Sequence, residues 1–294
     1  MAGRSEYLKG LTPLAVRSRA FDVAYRMLGS VAEAEDVAQE AMLRLTRAEP
    51  PDHPNAWITT VATRLSLDVL RSARVRREAY IGPWLPEPLV GDVADQVEMT
   101  DSLSQAFLVL LERLTPTERA AFVLREVFDY DYASIAAVLH RGEASCRQLV
   151  VRARKRLATG APRFDADVAR RDALLERFLA AAEAGDLPAL EAMLAEDAIF
   201  YADGGGKVAA ARHPLHGAAR IARAYAAIAR KQRSLERRLV HVNGQPGRIL
   251  FDSAGNVVDV LTVDVIDGRV HAVRIVRNPD KLCHVSGGRR VKAV

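Results

Sequence analysis

Residues 132–157 read YASIAAVLHRGEASCRQLVVRARKRL, and this stretch decides the fold of the first half of the chain. Tyr132–Leu139 has helical apolar spacing, His140-Arg141-Gly142 interrupts it, and Glu143–Leu157 resumes it. Two short helices around a tight turn have the dimensions of a helix-turn-helix. At about 100° per residue, Cys146, Val150, Ala153 and Leu157 fall on one arc. The opposite arc carries Ala144, Ser145, Gln148, Val151, Arg152 and Lys155, flanked by Arg147, Arg154 and Arg156. From Arg147 to Arg156 there are five basic residues and no acid. Taken alone, such a helix is more often a solvated amphipathic surface. After a short helix and a tight turn it fits the major groove. Gln148 and Arg152 would then reach base edges, Val151 a thymine methyl, and the flanking Arg147, Arg154 and Arg156 the phosphates, with Ser145 and Lys155 on the same DNA-facing surface. Cys146 belongs to the core, because a thiol packs like a small hydrophobe.

Upstream, Thr115-Pro116-Thr117-Glu118 is a helix start: a threonine cap, proline in the first turn and glutamate three residues after the cap. Residues 101–159 therefore form one helical unit. Residues 8–78 form another, with helical spacing from Phe21 to Leu45 and an acidic cluster of Glu33, Glu35, Asp36 and Glu40. Pro50, Pro51 and Pro54 break it. A long helix is then expected from Asn55 to Glu78, burying Ile58, Val61, Leu65 and Val69. Trp57, Thr60, Arg64, Leu67, Arg71 and Arg74 recur at spacings of three and four on a second stripe. An aromatic at the head of a line of arginines suits melted or single-stranded DNA, while a core tryptophan with a solvated basic face is the plainer alternative. Arg71, Arg74, Arg76 and Arg77 form the densest charge cluster of this half. Between the units, residues 79–100 carry Gly82, Pro83, Pro86 and Pro88 around Trp84 and Leu85, then Asp92, Asp95 and Glu98, and read as an extended linker.

After Gly160-Ala161-Pro162 the character changes. Helices are expected within 165–195, then strands at Ala198–Ala202, Leu239–Val242, Arg248–Phe251, Val257–Val265 and Arg269–Val276. Hairpin signals stand at Asn243-Gly244, Ala254-Gly255-Asn256 and Asp267-Gly268. Residues 165–283 thus form an α+β cone or half-barrel, followed by a short basic tail, 284–294.

The net charge of +5 does not mark the DNA-reading half. Residues 1–159 hold 21 basic and 21 acidic residues, leaving 21 and 16 for residues 160–294. Local segregation matters instead, since screening limits phosphate attraction to about 10 Å. No apolar run approaches the roughly 20 residues of a membrane span. The first ten residues lack a signal-peptide core, and the two cysteines match no metal spacing. A cytoplasmic protein with no cofactor, no metal and no membrane contact is expected.

Three stretches now resemble the sigma factors of the extracytoplasmic-function class, within the sigma-70 family. Asp36-Val37-Ala38-Gln39-Glu40-Ala41 is similar to their polymerase-binding helix. Ala56 to Ala62 through Leu67 to Arg71 resembles their −10 helix, and Leu114 to Arg119 with the helix-turn-helix resembles their −35 domain. Three further motifs narrow the resemblance to the J type, which carries a C-terminal SnoaL-like, NTF2-related domain. They are Trp84-Leu85-Pro86-Glu87-Pro88, Asp203-Gly204-Gly205-Gly206-Lys207 and Asn278-Pro279-Asp280-Lys281-Leu282. The resemblance implies two all-α sigma domains followed by an α+β SnoaL-like cone. It implies core RNA polymerase as partner, through the clamp of its beta-prime subunit (Asp36, Gln39 and Glu40) and its beta flap. It also implies promoter DNA: Asn55, Trp57, Thr60, Arg64, Arg71, Arg74, Arg76 and Arg77 at −10, with a flipped base held near residues 50–55, and the face of 143–157 at −35. No obligatory anti-sigma protein is implied; a small ligand in the C-terminal pocket remains open. The family usually has Gly where this chain has His140, and Ser or Thr where it has Gly142.

SnoaL-like relatives include enzymes with an Asp or His base, for which Asp203, His213, His216, Asp259, Asp264 and His271 are the residues here. Alternation puts Asp259 and Asp264 on opposite faces of their strand, so no shared catalytic site is expected. A helix-turn-helix regulator that works without polymerase, with a ligand-binding or enzymatic SnoaL-like domain, is the alternative function. The acidic surface around Asp36 speaks against it.

Overall fold

The computed structural model describes residues 12–91, 103–158, 164–165 and 167–285, without the side chains of 73–78. The expected acids Asp92, Asp95 and Glu98, the Gly160-Ala161-Pro162 break and residues 286–294 of the tail lie outside the described residues. Chain contacts divide it into two units, Met1–Glu78 with Leu108–Ala161, and Ala79–Phe107 with Pro162–Val294. Among the described residues no helix is long and apolar enough to cross a membrane.

The first unit is helical: α1 (Pro13–Leu28), α2 (Val31–Arg47), α3 (Pro54–Glu78), the end of α4 (Gln105–Leu111), α5 (Pro116–Glu126), α6 (Tyr132–Leu139) and α7 (Glu143–Leu157). The continuous pattern from Phe21 to Leu45 is in fact two helices. Gly29 ends α1 in the left-handed region at φ 66°, and the Ser30 hydroxyl caps α2 by accepting the Glu33 N–H. Thr115 makes the expected capping box with Glu118. The expected bounds of α6 and α7 are the observed ones.

The buried face of α3 differs from expectation. Ile58 is buried, but Val61, Leu65 and Val69 are only half-buried. The buried stripe runs through Thr59, Ala62, Thr63, Ser66, Leu67 and Leu70, so Leu67 moves from the outer stripe to the core. α1 packs on α2 and α3 here, and small side chains let the helices approach more closely than a row of large aliphatics would.

The second unit is built on a seven-stranded mixed sheet. Its strands are β1 (Val90–Gly91), β2 (Leu194–Asp203), β3 (Leu215–His216), β4 (Glu236–Val242), β5 (Gln245–Phe251), β6 (Val257–Ile266) and β7 (Arg269–Val276), in the order β1-β4-β5-β6-β7-β2-β3. Among the described residues only β2 and β7 run parallel. Asn243-Gly244 and Asp267-Gly268 turn the β4–β5 and β6–β7 hairpins with positive φ at all four residues. α8 (Val168–Ala184), α9 (Leu187–Met193) and α10 (Ala218–Lys231) belong to the same unit. Their apolar residues pack with Leu261, Val263, Val265 and Val273 of the sheet, and Phe178 stacks on Tyr225 at 5.1 Å. α10 and the short strands β1 and β3 went unread in the sequence.

The segment read as a linker belongs to this second unit. Val90 and Gly91 pair with Val242 and His241 as an edge strand. Further along, the Asn243 side chain donates to the Leu103 carbonyl at 2.8 Å, and the Thr262 hydroxyl donates to Gln105 at 3.0 Å. Thr262 lies on the sheet face opposite Leu261, so residues 103–105 cover the side that the helices leave open.

Candidate functional site

On α2, Asp36 and Gln39 are exposed and Glu40 is half-buried, pairing with Arg44 at 2.7 Å. Leu43 lies seven residues beyond Asp36, on the same face, and is 43% exposed. The surface therefore joins acids to one apolar contact, a residue that sequence reasoning missed although the i, i+7 spacing marks it.

The α3 stripe divides. Asn55 and Arg71 are exposed, Arg71 pairing with Asp68 at 2.9 Å, and Trp57 is half-buried. Thr60 donates to its own helix, to the Ala56 carbonyl. Arg64 does not point into solvent. Its Nε and Nη2 donate to the carbonyls of Val138 and Ala137, both at 3.0 Å. The last turn of α6 leaves carbonyls without helical partners at the negative end of the helix dipole, and a guanidinium meets both needs. The side chains of Arg74, Arg76 and Arg77 lie outside the described residues.

Within the same unit Arg119 is 3% exposed. It donates to the carbonyls of Met27 and Leu111, both at 2.8 Å, and pairs with Glu112. Arg19 and Arg26 sit over the Phe128 ring at 4.2 and 5.4 Å. Arginines thus tie the α1–α3 bundle to the α5–α7 block.

On α7, Cys146, Leu149, Val150, Ala153 and Leu157 are buried, and burial pushes the Cys146 thiol up. Arg147, Gln148, Val151, Arg152, Arg154 and Lys155 are exposed, and Ser145 is half-buried. Several of these donors have local partners. Arg152 and Arg156 share the buried carboxylate of Glu118 at 3.5 and 2.6 Å, Arg154 pairs with Glu126 and Arg147 with Glu143. The turn before α7 holds His140 in the left-handed region, φ 51° and ψ 51°, where its N–H still closes α6 on Ala136. Gly142 caps α7 without a side-chain bond.

The second unit concentrates its polar chemistry on Asp203, at the end of β2 and wholly buried. Oδ1 accepts the Tyr80 hydroxyl at 2.6 Å and the Gly205 N–H at 3.0 Å. Oδ2 accepts the Leu85 N–H at 2.8 Å and Lys281 Nζ at 2.7 Å. Lys281 also donates to the Leu85 carbonyl at 2.6 Å and lies over the rings of Trp84 and Tyr80. Asn278 donates to the Tyr80 oxygen at 2.9 Å, and Lys207 pairs with Asp280. Burial, reinforced by the Asp203 bond, pushes the Tyr80 hydroxyl far above the usual phenol range. Tyr80 was not among the expected residues.

The glycines earn their place by contact. A Cβ on Gly205 would collide with Asn278, and one on Gly206, at φ 73°, with Ile81. Around them Pro86, Glu87 and Pro88 are buried, His284 bonds to the Pro88 carbonyl, and Pro279 opens the 3-10 turn that buries Lys281 and Leu282. All three motifs therefore meet at one place.

Of the residues considered as a catalytic base, Asp203 is consumed by these bonds. His213 and His216 are exposed, and His271 is half-buried beside Asp197. Asp259 pairs with Arg248, and Asp264, on the opposite face of β6, pairs with Arg274 at 2.6 Å.

Comparison with known proteins places this geometry. Family models match at residues 15–76 (Sigma-70 region 2), 104–157 (Sigma-70, region 4) and 175–277 (SnoaL-like domain). The ECF RNA polymerase sigma factor SigJ of Mycobacterium tuberculosis is 38% identical over 290 residues, 91% of each chain. This chain belongs to the extracytoplasmic-function sigma factors of the SigJ type. Its function is that of an RNA polymerase sigma factor of this class. The crystal structure of the M. tuberculosis SigJ superposes with a TM-score of 0.76 at 33% identity, covering 91% of this chain and 96% of that one. The probable ECF sigma factor SigI of the same species is 37% identical over 181 residues, 59% of this chain and 62% of its own.

Proposed function

We propose that this sigma factor is regulated by its own SnoaL-like domain, through the linker that joins regions 2 and 4. The observation that carries this is the burial of the linker motif: Leu85 is bonded through both its N–H and its carbonyl to Asp203 and Lys281. Leu85 gives one bond to each member of the buried Asp203–Lys281 pair, and losing either leaves a buried charged group short of a partner, so the linker is held by both bonds or released from both. Sigma factors bind core RNA polymerase and promoter DNA. In this reading Asp36, Gln39 and Glu40, joined by Leu43, meet the polymerase clamp. Asn55, Trp57, Thr60 and Arg71, with Arg74, Arg76 and Arg77, face the −10 element. Ser145, Arg147, Gln148, Val151, Arg152, Arg154 and Lys155 face the −35 element. Engaging DNA means that Arg152 exchanges Glu118 for phosphate or base, a swap between two anionic or acceptor partners. Arg64 becomes available for DNA once α6 leaves α3.

The test is in-vitro transcription with core polymerase, comparing the full chain with forms ending at Pro162 and at Asn278 and with Lys281→Met. Promoter output is expected to change in all three. Unchanged output, with each protein folded, overturns regulation by this domain. Asp36→Arg is expected to weaken polymerase binding, and Gln148→Ala with Arg152→Ala to impair −35 recognition; wild-type behaviour in both removes those residue assignments.

A further inference from the structure

The helix side of the sheet is not filled everywhere. Between α8, α10 and strands β4 and β5 lies a cavity of about 300 Å3 walled by Leu179, Tyr225, Ala229, Leu235 and Leu250. Well-packed interiors contain few voids much larger than a water molecule, and ligand cavities begin at about this volume. Its polar groups are arranged in two layers.

The floor is electrically closed. Arg248 is 2% exposed and pairs with Asp259, which is wholly buried. Gln232 donates to Asp259 at 2.7 Å, and burial holds the Tyr225 phenol in its neutral form beside Arg248. One guanidinium and one carboxylate cancel there, and a second anion would face Asp259.

The mouth is electrically open. Arg233 donates to the Glu183 backbone carbonyl and Arg237 to the Glu183 carboxylate. Two exposed guanidiniums therefore stand at the mouth with one carboxylate, and only Arg237 is bonded to it. The same stretch, residues 230–238, also carries Arg230, Lys231 and Arg238 against Glu236 alone.

We propose that this cavity is a binding site for a small amphipathic monocarboxylate. Its apolar body lies along Leu179, Leu235 and Leu250, and its carboxylate is held at the mouth by Arg233 and Arg237. The apolar walls select the body, the unbalanced mouth selects one negative charge, and the neutral floor keeps that charge from binding deeper. Binding at this site does not depend on the linker being regulatory.

The experiment uses the full chain with naphthoate as probe and naphthamide as its neutral counterpart, read by ligand-observed saturation-transfer NMR and fluorescence titration. Naphthoate is expected to bind saturably, and naphthamide about ten-fold or more weakly. Arg237→Gln is expected to weaken naphthoate by a similar factor. Ala229→Phe, which fills the cavity from α10, is expected to abolish binding while the thermal transition persists; Leu235→Phe serves if Ala229→Phe does not fold. The proposal is overturned by any of four results: no saturable binding at millimolar naphthoate, equal binding of naphthamide, unchanged affinity in Arg237→Gln, or unchanged affinity in a folded filling variant.

Discussion

Two seams hold together stretches of chain that lie far apart in sequence, and they are built on opposite principles. In the first unit, α5–α7 is tied to α1–α3 by arginines donating to backbone carbonyls and lying over Phe128. In the second, residues 80–88 are tied to β2 and the end of the chain by a buried carboxylate and ammonium. Opening the first seam strands no charge: Arg64 is half-exposed and returns to water, and Arg119 keeps Leu111 and Glu112 on its own side. Opening the second leaves Asp203 and Lys281 paired with each other but takes from them the Tyr80 hydroxyl and the Leu85 N–H and carbonyl, hydrogen bonds to charged groups that water must replace. Carbonyl-bound arginines make a seam that can part; a desolvated ion pair makes one that holds until something replaces it.

The largest effect is expected at Lys281. Lys281→Ala leaves Asp203 buried without its counter-charge and should cost about 3–5 kcal/mol in denaturant unfolding of the second unit; a loss below about 1 kcal/mol would mean that the two seams do not differ in kind. Tyr80 gives the second test. Its folded-state pKa lies above the unfolded value of about 10, so its contribution is fully present below that pH and fades as pH rises beyond it. Tyr80→Phe should remove this alkaline loss, seen in melting temperature against pH; identical alkaline curves would show that the hydroxyl is not the responsible group.

Arg64→Ala tests the other seam and should cost only about 1 kcal/mol, because the group is partly solvated. A loss as large as that of Lys281→Ala would erase the contrast. The smallest effect concerns the helix on which Arg64 docks. His140→Gly relieves a left-handed non-glycine residue and should raise stability by about 0.5 kcal/mol; destabilisation by a similar amount would indicate that the imidazole does more than turn the chain.

The sequence was most readable where local chemistry acts alone. Thr115, Pro116 and Glu118 announce α5, and the spacing of Cys146, Val150, Ala153 and Leu157 defines the buried face of α7. It misled where packing partners decide. The α3 stripe was placed by its large aliphatics, yet α1 selects the small side chains at Thr59, Ala62, Thr63 and Ser66. Arg64 looked like one of a row of DNA-facing arginines, and nothing local reveals the carbonyls of Ala137 and Val138 more than 70 residues away. α10 carries alanine on every side, so only Ile221, Tyr225 and Ile228 mark its face. The three motifs were legible as motifs, but their meeting on Asp203 depends on contacts spanning more than a hundred residues.

The two residues of β1 carry a consequence for how such a protein can be rearranged. A SnoaL-like module cut at residue 165 loses Val90 and Gly91, and with them the strand that closes β4 at His241 and Val242. The excised piece would present a bare sheet edge, open to pairing with another copy of itself. Any exchange of this module between sigma factors therefore has its natural joint before Tyr80, in the middle of the sigma sequence, and must carry the linker with it.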